Sequence, residues 1–345
     1  MADTITKNQR IAQNTLMLYV RMLLIMAVTL YTSRIVLDKL GVEDFGIYNL
    51  VAGIVVLFSF VNNAMATATQ RFLNFELGKK NLHEVKRIFS MSMTAHISIS
   101  LLVLFLAETI GVWFLLSEMN IPNNRMEAAV WCYQFSILIA CVQIIRVPYN
   151  SCIIAYERMS FYAYLSILEV GFNLLIAFLL TMTNCDRLIL YSFLMFIVAV
   201  FISGVYKIVC NRYFVISKYT FFWDYALYKK IISFSGWSLL GSTANVGVQQ
   251  GLNILLNIFY GVTLNAAMGI ANQVSRAVYN FVSNFQIAFN PQIIKSYASG
   301  DYVYFERLIF KASRYSYFLL FLVSLPVLLN SCLLYTSPSP RDTER

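Results

Sequence analysis

Residues 231–275 form a run of 45 without a single Asp, Glu, Lys, Arg or His. A bilayer core about 30 Å thick is crossed by roughly 20 helical residues rising about 1.5 Å each. The run is too long for one membrane span and right for two, with Gly261 in Tyr260-Gly261-Val262-Thr263 as the expected turn. Apolar sequence continues past Arg276, which puts a cation near the middle of the second span. Asn245, Gln249, Asn253 and Asn257 recur every four residues, as do Asn272, Arg276, Asn280 and Asn284. Residues four apart share a helix face. Two neighbouring spans with polar stripes predict a wet cavity inside a helix bundle.

The rest of the chain agrees with a membrane origin. Charged residues make up 12% and mean hydropathy is +0.65, whereas soluble domains carry about 25% charged residues. The apolar segments predict nine spans, at 12–36, 46–69, 88–116, 128–153, 161–182, 188–209, 232–259, 265–289 and 314–335. The polar opening and the lack of a small-residue cleavage site make the first of these a retained span. Counted in alternate loops, Lys and Arg number 17 on one side and 4 on the other. That asymmetry predicts a cytoplasmic N-terminus. It also accounts for the net charge of +9 through basic loops, so no nucleic-acid partner is implied. None of the six cysteines forms a CxxC pair, and no metal or cofactor is expected. GxSxG, HExxH and P-loop signatures are absent, so no enzyme is predicted.

A repeat is visible. Gln70-Arg71-Phe72-Leu73-Asn74-Phe75-Glu76-Leu77-Gly78-Lys79 is followed by Glu84 and Arg87-Ile88-Phe89. Gln292-Ile293-Ile294-Lys295-Ser296-Tyr297-Ala298-Ser299-Gly300-Asp301 is followed by Glu306 and Leu308-Ile309-Phe310. Gly41-Val42 and Gly46-Ile47 are echoed by Gly261-Val262 and Gly269-Ile270. Six spans separate the copies, so both have the same orientation: a parallel repeat of two six-helix lobes. The expected units are a first transmembrane lobe at 1–210, a connection at 211–230, and the first half of a second lobe at 231–331. Phe221-Phe222-Trp223-Asp224-Tyr225, on the connection, is expected to form an interfacial helix. The composition changes abruptly after residue 332 and resembles a translated sequencing adapter. Residues 332–345 are therefore expected to be a non-native tail, with at least three further helices in the native protein.

Leu40-Gly41-Val42-Glu43-Asp44-Phe45-Gly46-Ile47-Tyr48-Asn49-Leu50-Val51 resembles the polysaccharide-biosynthesis flippases. These are the O-antigen and capsule-unit exporters of the multidrug/oligosaccharidyl-lipid/polysaccharide superfamily. Asn290-Pro291-Gln292-Ile293 followed by Gly300-Asp301 is similar to that family's exit from its eighth helix. The resemblance implies two six-helix lobes facing each other in a V. It also implies an isoprenoid carrier, ion-gradient coupling and, as a theme, cavity arginines on the first and eighth helices.

On these grounds the expected function is a flippase of the bacterial inner membrane. Its substrate would be a polyprenyl-diphosphate-linked oligosaccharide for cell-surface polysaccharide, moved by alternating access. Glycan polymerase or glycosyltransferases are candidate partners beside membrane lipids. The substrate cavity is expected to be lined by Arg276, Arg21, Asn272, Asn280, Asn284, Asn245, Gln249 and Asn253. A guanidinium fork matches phosphate oxygens, and an arginine at the midplane needs a partner or water. Arg276 either holds an anionic head group or pairs with Glu169; Glu169 is alternatively an ion-coupling site. Arg21 faces the cavity or snorkels, and Arg146, before Pro148, is expected at the basic interface. The alternatives are a cation-coupled drug antiporter of the same superfamily, which wants cavity carboxylates, and an integral membrane enzyme of glycan assembly.

Overall fold

The computed structural model describes residues 2–56, 59–117, 119, 121–182 and 186–329. Among them it is all-helical, with nine α-helices and no strand. They are α1 (Ala2–Val56), α2 (Ser59–Gly78), α3 (Leu82–Leu106), α4 (Val112–Ser117), α5 (Met126–Ala155), α6 (Met159–Leu179), α7 (Arg187–Tyr213), α8 (Tyr225–Ala298) and α9 (Tyr302–Leu329). Six described segments are long and apolar enough to cross a membrane, within α1, α3–α4, α5, α6, α7 and α9. The proposed tail at 332–345 lies outside the described residues.

Two of the helices are longer than any bilayer requires. The 55 residues of α1 contain one non-helical position, Gly41, at φ 79° and ψ 168°. That region of backbone space is essentially glycine-only, so Gly41 separates the first two predicted spans where the motif begins. Helical backbone runs through Gly261 in the 74-residue α8, where the sequence predicts a turn. The ends of α8 nevertheless show that the chain doubles back. The Arg71 guanidinium carbon lies 4.5 Å from the Phe234 ring centre. Only two turns further along α2, Gly78 leaves so little space that an added Cβ would sit 2.6 Å from the Lys295 carbonyl oxygen. A straight helix would hold positions 234 and 295 about 90 Å apart. Both ends of α8 therefore meet α2 at the same end of the bundle, as two antiparallel spans require.

The connection departs from expectation. Residues 221–224 are not helical; α8 starts at Tyr225 because Asp224, in extended backbone, accepts hydrogen bonds from the Ala226 and Leu227 amides. A carboxylate there satisfies amides that a helix start leaves unpaired. Asp224 also receives Arg87 Nη2 at 2.8 Å, tying the connection to α3.

At the end away from the basic loops, one residue clamps several helix ends. Arg125 donates from Nε to Asp44 Oδ1 at 2.8 Å and from Nη1 to Asp186 Oδ2 at 2.6 Å. This joins three otherwise separate connections. The Asp44 of the flippase-like motif is thereby a structural anchor. Burial raises the Asp186 carboxyl, but hydrogen bonds from Arg125 and from the Ile189 and Leu188 amides outweigh it and hold the group below its ordinary value. A lowered folded value stabilises above the unfolded value, near 3.8, and that contribution is lost as pH falls through the folded one. Arg125→Ala is expected to cost about 2–3 kcal/mol, less than a fully buried pair because the partners stay partly exposed. Thermal unfolding in detergent should show the loss at neutral pH and a shrinking difference from wild type below about pH 4.

Candidate functional site

α8 packs against α1 as well as along α2. The Tyr19 hydroxyl donates to the Phe281 carbonyl at 3.2 Å, and the two rings lie 5.9 Å apart. Asn284 Nδ2 donates to the Asn280 carbonyl at 2.8 Å and to Met22 Sδ at 3.2 Å. These contacts fix the register: the second predicted stripe of α8 is turned to the first lobe at Asn284. Spacing by four carries the same face outward through Asn280 to Arg276, about 12 Å further along the axis. Asn272 and Asn284 are half-buried; Asn280 and Arg276 are exposed. Arg276 has no ion-pair partner among the described residues. The side chains of Asn245, Gln249 and Asn253 lie outside the described residues.

Around α1, Arg21 projects about 100° from Met22 and about 160° from Tyr19. Its guanidinium carbon lies 4.2 Å from the ring centre of Tyr162 on α6. The aromatic face satisfies the cation through its quadrupole, while Nε is buried without a hydrogen-bond partner among the described residues. Arg21 thus sits between α1 and α6 and does not snorkel.

The carboxylates are engaged elsewhere. Glu169 accepts Arg146 Nη1 on both oxygens at 3.1 Å. Of the two roles open to Arg276, pairing with Glu169 is therefore ruled out. Arg146 is also not an interface residue: its side chain is only 18% exposed and its guanidinium carbon sits 5.2 Å from the Tyr206 ring. Sequence carried a signal for this pair. Arg146 lies nine residues before the end of α5, and Glu169 ten after the start of α6, so in antiparallel neighbours they share a depth. Glu108 receives Gln134 Nε2 at 3.1 Å.

The contact that sequence reasoning missed is a seal at the basic end. Glu157, in the turn between α5 and α6, is 7% exposed and has left-handed backbone at φ 58°. Burying a carboxylate is costly unless it is paired. Here Lys295 Nζ donates at 2.7 Å and Gln292 Nε2 at 3.1 Å, both from α8. Asn14 of α1 donates to the Glu157 carbonyl at 3.3 Å, and Tyr304 of α9 donates to Gln292 Oε1 at 3.0 Å. With Gly78 against Lys295, this closes the cleft at the basic end. The missed signal was a lone Glu in a short turn between two apolar spans. Just above the seal, α1, α8 and α9 flank an apolar pocket of about 500 Å³, lined by Ile11, Tyr19, Phe285, Phe289, Leu308 and Tyr315 among others.

No protein-family model matches the chain, and no curated protein matches it. Solved structures do match in fold. A structure described as the outward-facing conformation of a multidrug resistance MATE family transporter of the MOP superfamily superposes with a TM-score of 0.74 at 14% identity, over 92% of this chain and 70% of that one. A MATE structure in the straight conformation gives 0.79 at 12%, covering 95% and 74%. A MOP superfamily transporter from Pyrococcus furiosus, described by a reversed polarity of its binding pocket that suggests a different function, gives 0.72 at 14%, covering 93% and 72%. The chain has the MATE-like transporter fold.

Proposed function

We propose that this chain is a membrane exporter working by alternating access, and that its substrate is a polyprenyl-diphosphate-linked oligosaccharide. The observation that carries the reading is the polarity of the cleft. Arg21 and Arg276 have no ion-pair partner among the described residues, whereas Glu169, Glu157 and Glu108 are already held by Arg146, Lys295 and Gln134. A guanidinium binds a diphosphate through paired, charge-assisted hydrogen bonds, and the amides suit sugar hydroxyls. The apolar pocket between α1, α8 and α9 offers a place for the isoprenoid tail. The basic loops favour an inner-membrane setting with a cytoplasmic N-terminus, and the same substrate makes glycan polymerase or glycosyltransferases natural neighbours.

A second reading, a cation-coupled drug antiporter, is favoured by the fold itself, since its structural neighbours include multidrug MATE transporters. Proteoliposomes separate the two. The flippase reading expects translocation of a fluorescent polyprenyl-diphosphate saccharide, with no uptake of organic cations under a proton or sodium gradient. Cation uptake without saccharide movement would reverse the assignment.

A further inference from the structure

A second cavity, of about 630 Å³, lies between α3, α5, α7 and the connection that follows α7. It exists because α3 and α7 both pack on α5 and hardly touch each other. The gap leaves a groove. Val142 and Ile145 of α5 form its floor, Met93 and Ile97 of α3 one wall, and Val200 of α7 the other. Val200 is 45% exposed, so the groove opens sideways to where acyl chains would be.

The mouth of the groove has a different chemistry. Lys207 and Asn211 of α7, with Lys218 and Tyr219 of the connection, ring its basic end. Both lysines are exposed, and neither forms an ion pair among the described residues. The third cation on the lining, Arg146, is neutralised by Glu169. Among the described residues, no carboxylate lines the cavity. Tyr219 is held in place by Thr94, whose hydroxyl lies 3.2 Å from its own. Gly204 completes the wall, and a Cβ built there would meet nothing within 4 Å. The missing side chain keeps the groove open.

We propose that this groove is a binding site for an anionic phospholipid. Its phosphate would sit between the Lys207 and Lys218 ammonium groups, with the Asn211 amide as a further hydrogen-bond donor. One acyl chain would lie along Met93, Ile97, Ile145 and Val200. An apolar trough with unpaired cations at one end complements an amphiphile whose head is anionic and whose tail is apolar. Basic pockets between membrane helices at the positively charged face bind such head groups. A soluble anion would leave the trough unfilled, and a neutral lipid would leave the lysines unmatched.

Native mass spectrometry of the purified full chain, equilibrated with equal phosphatidylglycerol and phosphatidylcholine, tests this without any transport assay. A failure of the flippase reading therefore leaves the result interpretable. Wild type is expected to retain phosphatidylglycerol preferentially, and Lys207→Gln with Lys218→Gln to lower that preference on the order of tenfold, two surface cations having been removed. Gly204→Leu fills open space in a helix, so it should fold normally, and it is expected to displace both lipids. Inorganic phosphate in excess should not compete. Equal retention of the two lipids, an unchanged preference in the lysine double variant, full retention in Gly204→Leu, or displacement by phosphate alone would each overturn the proposal.

Discussion

Arg276→Glu, combined with Arg21→Glu, is expected to reduce translocation of a polyprenyl-diphosphate saccharide at least a hundredfold. The magnitude follows from the loss of charge-assisted hydrogen bonds to an anion, each about 1.5–3 kcal/mol, and from the repulsion that replaces them. Membrane abundance should stay near wild type for Arg276→Glu, because Arg276 is exposed and without an ion-pair partner among the described residues. Arg21 is different. It rests on Tyr162, so its reversal also removes a cation–π contact of about 0.5–2 kcal/mol and should lower the unfolding temperature. Arg21→Lys keeps the charge and separates the two effects. The measurements are flux in proteoliposomes and abundance by quantitative blotting. Full activity in Arg276→Glu would end its assignment to anion binding.

The second large effect concerns the closed basic end. Glu157→Gln removes the partner of Lys295, whose side chain is only 24% exposed. Leaving a buried or half-buried cation unpaired costs about 2–4 kcal/mol. The cost falls only on the conformation in which α8 and the α5–α6 turn touch, so the population should move by a factor of thirty or more toward one open at the basic end. Lys80, after α2, and Asp301, after α8, both line the small cavity beside the seal. Spin labels at Lys80→Cys and Asp301→Cys, in a background without native cysteines, should report a short distance in wild type and a longer one in Glu157→Gln. The charge-swapped pair Glu157→Lys with Lys295→Glu should restore part of the short population. An unchanged distance distribution in Glu157→Gln would show that the contact is incidental.

The legible part of the molecule was its membrane pattern. The 45-residue charge-free run foretold two spans, and the meeting of Phe234 and Lys295 with one short stretch of α2 agrees. Gly41 stood out in the flippase-like motif, and its backbone is one that only glycine adopts easily. The four cysteines described, Cys132, Cys141, Cys152 and Cys210, are buried free thiols, as their apolar surroundings suggest.

Sequence alone determined which segments are apolar, how long they are and which faces of them are polar, because those are local properties set by helix periodicity and bilayer thickness. Only the tertiary structure decided which charge meets which. Arg125 spans 81 residues to reach Asp44, Lys295 spans 138 to reach Glu157, and Glu169 goes to Arg146 and not to Arg276. Charge pairing depends on which helices become neighbours and at what depth, and neither is written in the spacing of one helix. That choice pairs Glu169 with Arg146 and Glu157 with Lys295, and leaves Arg276 without an ion-pair partner among the described residues.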